Sequence, residues 1–129
     1  MYVCMIINYI NMKSDFDTVI SKETAKLFSK ENYTYPIEYC WLDNRLLDIN
    51  IIMEEDEDRI LKAPSLSMIL KFLREKRGII ITPTPLPGNK WISEVYIQEN
   101  GKLILQDNPV YGNSWEEVVE KQIRNIYDE

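Results

Sequence analysis

Histidine is absent from all 129 residues. It is the usual general base beside a Ser or Cys nucleophile and the commonest metal ligand. A Ser-His-Asp or Cys-His site and a His-ligated catalytic zinc are therefore excluded. Cysteine is scarce: Cys4 and Cys40 stand alone and far apart in the chain. Two thiols are too few for a four-cysteine zinc site, and no CxxC redox pair is present. Their number allows one disulfide, but without a secretory signal two reduced thiols are expected, at least one of them in the core. Glycine is rare too, at four residues. No GxxxxGK[ST], GxGxxG or GxSxG occurs, so neither a phosphate cradle nor a nucleophile elbow can be read.

No apolar run approaches the roughly 20 residues that a spanning helix needs, so no membrane partner is expected. Met1 to Asn11 is apolar but has no positive n-region and no small-residue cleavage site, which makes a poor signal peptide. Residues 1–18 read as an N-terminal strand or leader, with Met1–Asn11 either that strand or residues ahead of a true start at Met12, and a cytoplasmic location is expected in either case. What is present is ordinary for one globular domain over residues 1–129: 45% apolar and 28% charged residues. Fifteen Lys and Arg against 21 Asp and Glu give a formal charge of −6.

Ser21 reads as the N-cap of a helix running toward Asn32, with Ile20 placed to staple against Ala25. Ile37–Leu42 and Arg45–Ile51 read as two strands joined by an Asp43-Asn44 turn. Residues 53–60 form an acidic loop, in which five acids oppose one base and self-repulsion favours a solvated connection. A calcium loop would need a central glycine, which is missing. Ser65 then caps the clearest helix, with Leu66, Ile69, Leu70 and Leu73 on one face and Gly78 as its stop. Ile79–Thr82 reads as a strand, and Pro83, Pro85 and Pro87 make the next stretch an edge or a loop. Trp91–Gln98 and Lys102–Gln106 flank Asn100-Gly101 as a hairpin. Ser114 and Glu117 form a capping box that opens a terminal helix. This order predicts an α+β fold: a mainly antiparallel sheet of two hairpins plus additional strands, covered by about three helices.

The second helix carries the only basic patch. Lys62, Lys71, Arg74, Lys76 and Arg77 outweigh Glu75, and Lys71, Arg74 and Glu75 share the face opposite Leu73. A basic helix face can contact phosphates, but in so acidic a chain a solvated face is the better reading, and nucleic acid is not the expected partner. The acids of 54–58 with Glu116, Glu117, Glu120, Asp128 and Glu129 could instead meet a basic protein, though solubility explains them as well. No carboxylate pair stands beside an apolar stretch that would raise a pKa. No catalytic, metal or cofactor residue is therefore assigned, and no cofactor is expected. The segment Thr82–Pro87 suits an edge loop better than a polyproline ligand. Trp41, Trp91 and Trp115 read as core-edge residues; exposed with Tyr33, Tyr35 and Tyr39, some would form a binding surface.

Three stretches resemble a group of small uncharacterised proteins in genomes of gut Bacteroidales and their prophages and mobile elements. Val19-Ile20-Ser21-Lys22-Glu23-Thr24-Ala25-Lys26-Leu27 is similar to their opening helix. Ala63-Pro64-Ser65 through Leu70-Lys71-Phe72-Leu73-Arg74-Glu75 is similar to their Ala-Pro-Thr start and Lys-Trp-Leu-Arg-Glu core, with Ser65 and Phe72 as the departures. Asn113-Ser114-Trp115-Glu116-Glu117-Val118 resembles their terminal helix. The resemblance leaves out residues 1–18 and the length of the acidic loop. It implies a bacterial or prophage-derived accessory protein and supplies no activity or catalytic residue.

These readings together favour a non-enzymatic protein-interaction module with an unidentified protein partner, using Lys71, Arg74, Glu75 and Arg77 with Tyr39 and Trp41. The alternatives are an acidic immunity or inhibitor protein that binds a basic nuclease or DNA-binding protein, and, less favoured, a carboxylate- or metal-dependent enzyme. The sequence does not set the oligomeric state.

Overall fold

Three serines open the helices, and each hydroxyl accepts from the backbone N–H three residues on. A computed structural model of the chain describes residues 18–128, so the expected N-terminal strand and Cys4 lie outside the described residues. Helix α1 (Lys22–Phe28) is capped by Ser21, α2 (Leu66–Phe72) by Ser65 and α3 (Trp115–Tyr127) by Ser114. The acidic half of the capping box is displaced by one residue, since the Glu117 carboxylate takes the N–H of Asn113 at 2.9 Å. Helix α1 ends at Phe28, one turn before the expected Asn32. Helix α2 continues as a π turn (Leu73–Arg77) up to Gly78 at φ 65°.

All strand pairing among the described residues is antiparallel, and the α+β class holds. The strands form two sheets. The smaller has the order β2 (Arg45–Asp48), β1 (Tyr39–Leu42), β3 (Ile60–Lys62). In the larger, β5 (Lys90–Glu99) is central, with β4 (Ile79–Leu86) on one side and β6 (Lys102–Leu105) followed by β7 (Val110–Gly112) on the other. Strands β3 and β7 are three residues long and carry too little pattern to read from sequence.

Two expectations are corrected. Ile49–Ile51 is a 3-10 turn and not the end of a strand, because the Asp48 side chain takes the Asn50 N–H at 2.8 Å and turns the chain. Residues Glu54–Arg59 form 3-10 turns and not an irregular loop. Arg59 at their end donates to Asp56 at 2.9 Å and to Asp43 at 2.5 Å, which neutralises part of the acid run and fixes it to the first hairpin.

The core joins both sheets to the helices. Ile20, Ala25, Phe28 and Tyr33 meet Leu66, Ile69, Phe72 and Leu73, then Ile81, Val95, Val119 and Ile123. Trp41 and Leu61 of the smaller sheet and Ile97 of the larger pack against the same cluster. Helix α3 lies on one face of the larger sheet. Under it, Ser93 donates its hydroxyl to the Val118 carbonyl at 3.0 Å, and Gln122 donates to the carbonyls of Ser93 and Asn108.

Candidate functional site

The polar face of α2 and its π extension divides into bound and free groups. Arg77 is exposed but tied down: its guanidinium forks onto the Glu31 carboxylate, which also accepts the Tyr127 hydroxyl at 2.7 Å. Its cation lies 5.5 Å from the Phe72 ring centre. The Arg77 bond holds the Glu31 carboxyl below its ordinary range, and burial followed by the Glu31 bond pushes the Tyr127 hydroxyl well above its own. Glu75 accepts the Tyr35 hydroxyl at 2.5 Å, which lowers the carboxyl and raises the phenol. Lys71 and Arg74 remain exposed, Arg74 with Glu75 at 3.9 Å.

On β1 the two aromatics differ. Tyr39 is exposed, whereas Trp41 is half-buried and donates its indole N–H to the Ile20 carbonyl at 3.0 Å. Tyr39 and Met68 share the lining of a hollow of about 260 Å³ with Val19, Ile37 and Ala63. Cys40 is a free, buried thiol whose pKa burial raises, with the Asp48 charge adding to it, so it is unsuited to nucleophilic work. No group of three Cys, Asp or Glu side chains among the described residues could hold a metal ion. No helix among them is long and apolar enough to cross a membrane.

The larger sheet carries a feature absent from that inventory. In β6 every residue is exposed, and Leu103, Ile104 and Leu105 reach 55%, 44% and 52%. The ladder decides which backbone groups are free. Asn100 (φ 50°) and Gly101 (φ 78°) form the tight turn that makes Glu99 and Lys102 a hydrogen-bonded pair. Bonded pairs alternate, so Ile97 with Ile104 is the next. Gln106 N–H to the Val95 carbonyl at 2.8 Å continues the series. Leu103 and Leu105 therefore turn their N–H and C=O groups away from β5, onto an edge that no other described strand pairs with.

The opposite edge of the sheet is built differently. Gln98 N–H donates to the Gly78 carbonyl, so Ile80, Thr82 and Thr84 face β5, and Ile79, Ile81, Pro83 and Pro85 face outward. Two of those four positions are prolines and have no donor, the usual way of blunting an edge. In the smaller sheet β2 begins with Arg45 and ends with Asp48, and β3 is short. Among the described residues, β6 is the edge strand that carries three consecutive exposed apolar side chains, whereas β2 carries one, Leu46.

Beside it lies the face of the larger sheet away from α3. The register puts Ile80, Ile92, Tyr96, Leu103, Leu105 and Tyr111 on that side. Tyr111 is 63% exposed and Tyr96 half-buried. The sequence held a signal for this patch: Leu103-Ile104-Leu105 breaks the apolar–polar alternation expected of a strand with one wet face. No family model matches the chain, and no curated protein or solved structure matches it either.

Proposed function

We propose that this chain is a non-enzymatic protein-interaction module that takes a strand of its partner onto β6. The observation that carries this reading is the contrast between edges: prolines blunt β4, while β6 offers the free backbone of Leu103 and Leu105 between exposed apolar side chains. Strand addition draws affinity from main-chain hydrogen bonds and specificity from alternate side chains. Leu103 and Leu105, with Tyr96 behind them, supply the apolar contacts on the outer face. Lys71 and Arg74 are exposed cations of the helix face and form the secondary surface of the module. An accessory role of bacterial or prophage origin is the setting implied by the sequence resemblance.

The test uses the immobilised parent chain, Leu105→Pro and the double variant Lys71→Glu/Arg74→Glu, each shown by circular dichroism to be folded, with lysate of the cell the protein comes from. The Leu105 N–H faces away from β5, so proline there removes an edge donor and leaves the hairpin bonds in place. A protein retained by the parent and the helix variant but lost from Leu105→Pro supports the reading. Retention that survives Leu105→Pro and fails in the helix variant overturns it in favour of the helix face. Retention of nothing by the parent overturns it as well.

A further inference from the structure

The edge that β6 presents is complementary to itself, and we infer that its partner is a second copy of this chain, paired antiparallel through β6 about a two-fold axis at Ile104. This rests on the strand-addition reading and names the partner it leaves open. A two-fold perpendicular to the sheet pairs residues whose numbers have a constant, even sum, since only then do partners point to the same face. Hydrogen-bonded pairs must also join positions whose groups face outward. On β6 those are Leu103 and Leu105. Pairing Leu103 of each copy with Leu105 of the other meets both conditions and engages all the outward groups of β6 on both chains. Registers centred on Leu103 or Leu105 leave part of them unpaired.

Side chains and charge agree with that register. Ile104 meets Ile104 in a non-hydrogen-bonded pair, where Cα atoms approach to about 4.5 Å and side chains come closest. Leu103 and Leu105 of both copies then adjoin on the outer face beside Tyr96, forming one apolar strip. Each chain carries a formal −6, so two copies repel over most of their surfaces. The paired segment Lys102–Gln106 contains no acid and one cation, Lys102, which the register sets opposite the neutral Gln106 of the copy. The joined edge thus brings no acids of the paired segments face to face. It makes the two larger sheets one continuous antiparallel sheet whose outer edges are the proline-bearing β4 strands.

The test uses the purified full-length chain alone. Sedimentation velocity over a hundredfold concentration range is expected to show a monomer–dimer equilibrium, with Leu105→Pro monomeric throughout. In a Cys4→Ser background, Ile104→Cys is expected to oxidise to a disulfide-linked dimer, because a pair on the axis has the Cα separation that a disulfide requires. Leu103→Cys, facing Leu105 and not itself, is expected to cross-link several-fold more slowly. A parent that stays monomeric at the highest concentration overturns the self-pairing. It leaves strand addition standing if lysate capture still depends on Leu105. A dimer unaffected by Leu105→Pro, or one that cross-links equally well through Leu103→Cys, overturns the proposed register.

Discussion

Glu31 accepts hydrogen bonds from Arg77, Tyr127 and the Asn32 amide, so one carboxylate joins the end of α1, the end of the α2 segment and the C-terminus of α3. Its side chain is 9% exposed against 44% for Arg77, so solvent screens the pair from one side only. A carboxyl held below its ordinary pKa contributes stability in full above the unfolded value, and loses it as pH falls through the folded one. Glu31→Gln is therefore expected to cost roughly 1–2 kcal/mol at pH 7. The cost should shrink below about pH 4.3, the ordinary glutamate value. Melting temperatures of parent and variant from pH 2 to 8 check this, and parallel curves would refute it. Tyr127 has the opposite sign: its folded pKa is raised, so its stabilisation is present below about pH 10 and fades as pH climbs beyond. Serine caps were legible in the sequence because an N-cap is a local bond. Arg77 read as a solvated cation because Glu31 is 46 positions away in the chain.

At the scale of elements, β7 and α3 touch more closely than most side chains allow. A Cβ at Gly112 would sit 2.9 Å from the Val118 Cγ1 and 2.9 Å from the Glu117 Cδ. Val118 is fully buried and cannot step aside. Gly112→Ala is expected to destabilise the fold by about 1–3 kcal/mol through overpacking. Chemical denaturation measures that loss, and faster amide exchange in β7 than in β4 would locate it. A stability within 0.5 kcal/mol of the parent, inside the usual range for surface changes, would mean that the strand and helix slide apart freely. The hairpin at Asn100-Gly101, the Gly78 stop and the terminal helix follow from local turn, cap and periodicity rules. β3 and β7 do not, because strands this short gain their bonds from partners elsewhere in the chain. The prolines of β4 showed an edge or a loop, and only the ladder to β5 decided for the edge.

For the whole molecule, the two sheets share one core and their unfolding is expected to be one event. Trp41 reports on the smaller sheet and Trp91 on the larger. Two single-tryptophan variants, one keeping each, are expected to give urea transitions that superimpose on their own far-ultraviolet dichroism. A separate, earlier transition at Trp41 would show that the smaller sheet melts independently. Additive half-transitions would mean the same.

By itself the sequence determined the α+β class, the caps, the better hairpin and the exclusion of histidine chemistry. These depend on composition, on neighbours three or four residues apart, or on two-residue turns. Tertiary structure alone decided that the strands split into two sheets, that Arg77 is bonded to Glu31 and Glu75 to Tyr35, and that β6 stands at the edge of the described sheet. A strand's neighbours are chosen by long-range pairing, and the direction of its unpaired N–H and C=O groups follows only once the ladder is in place.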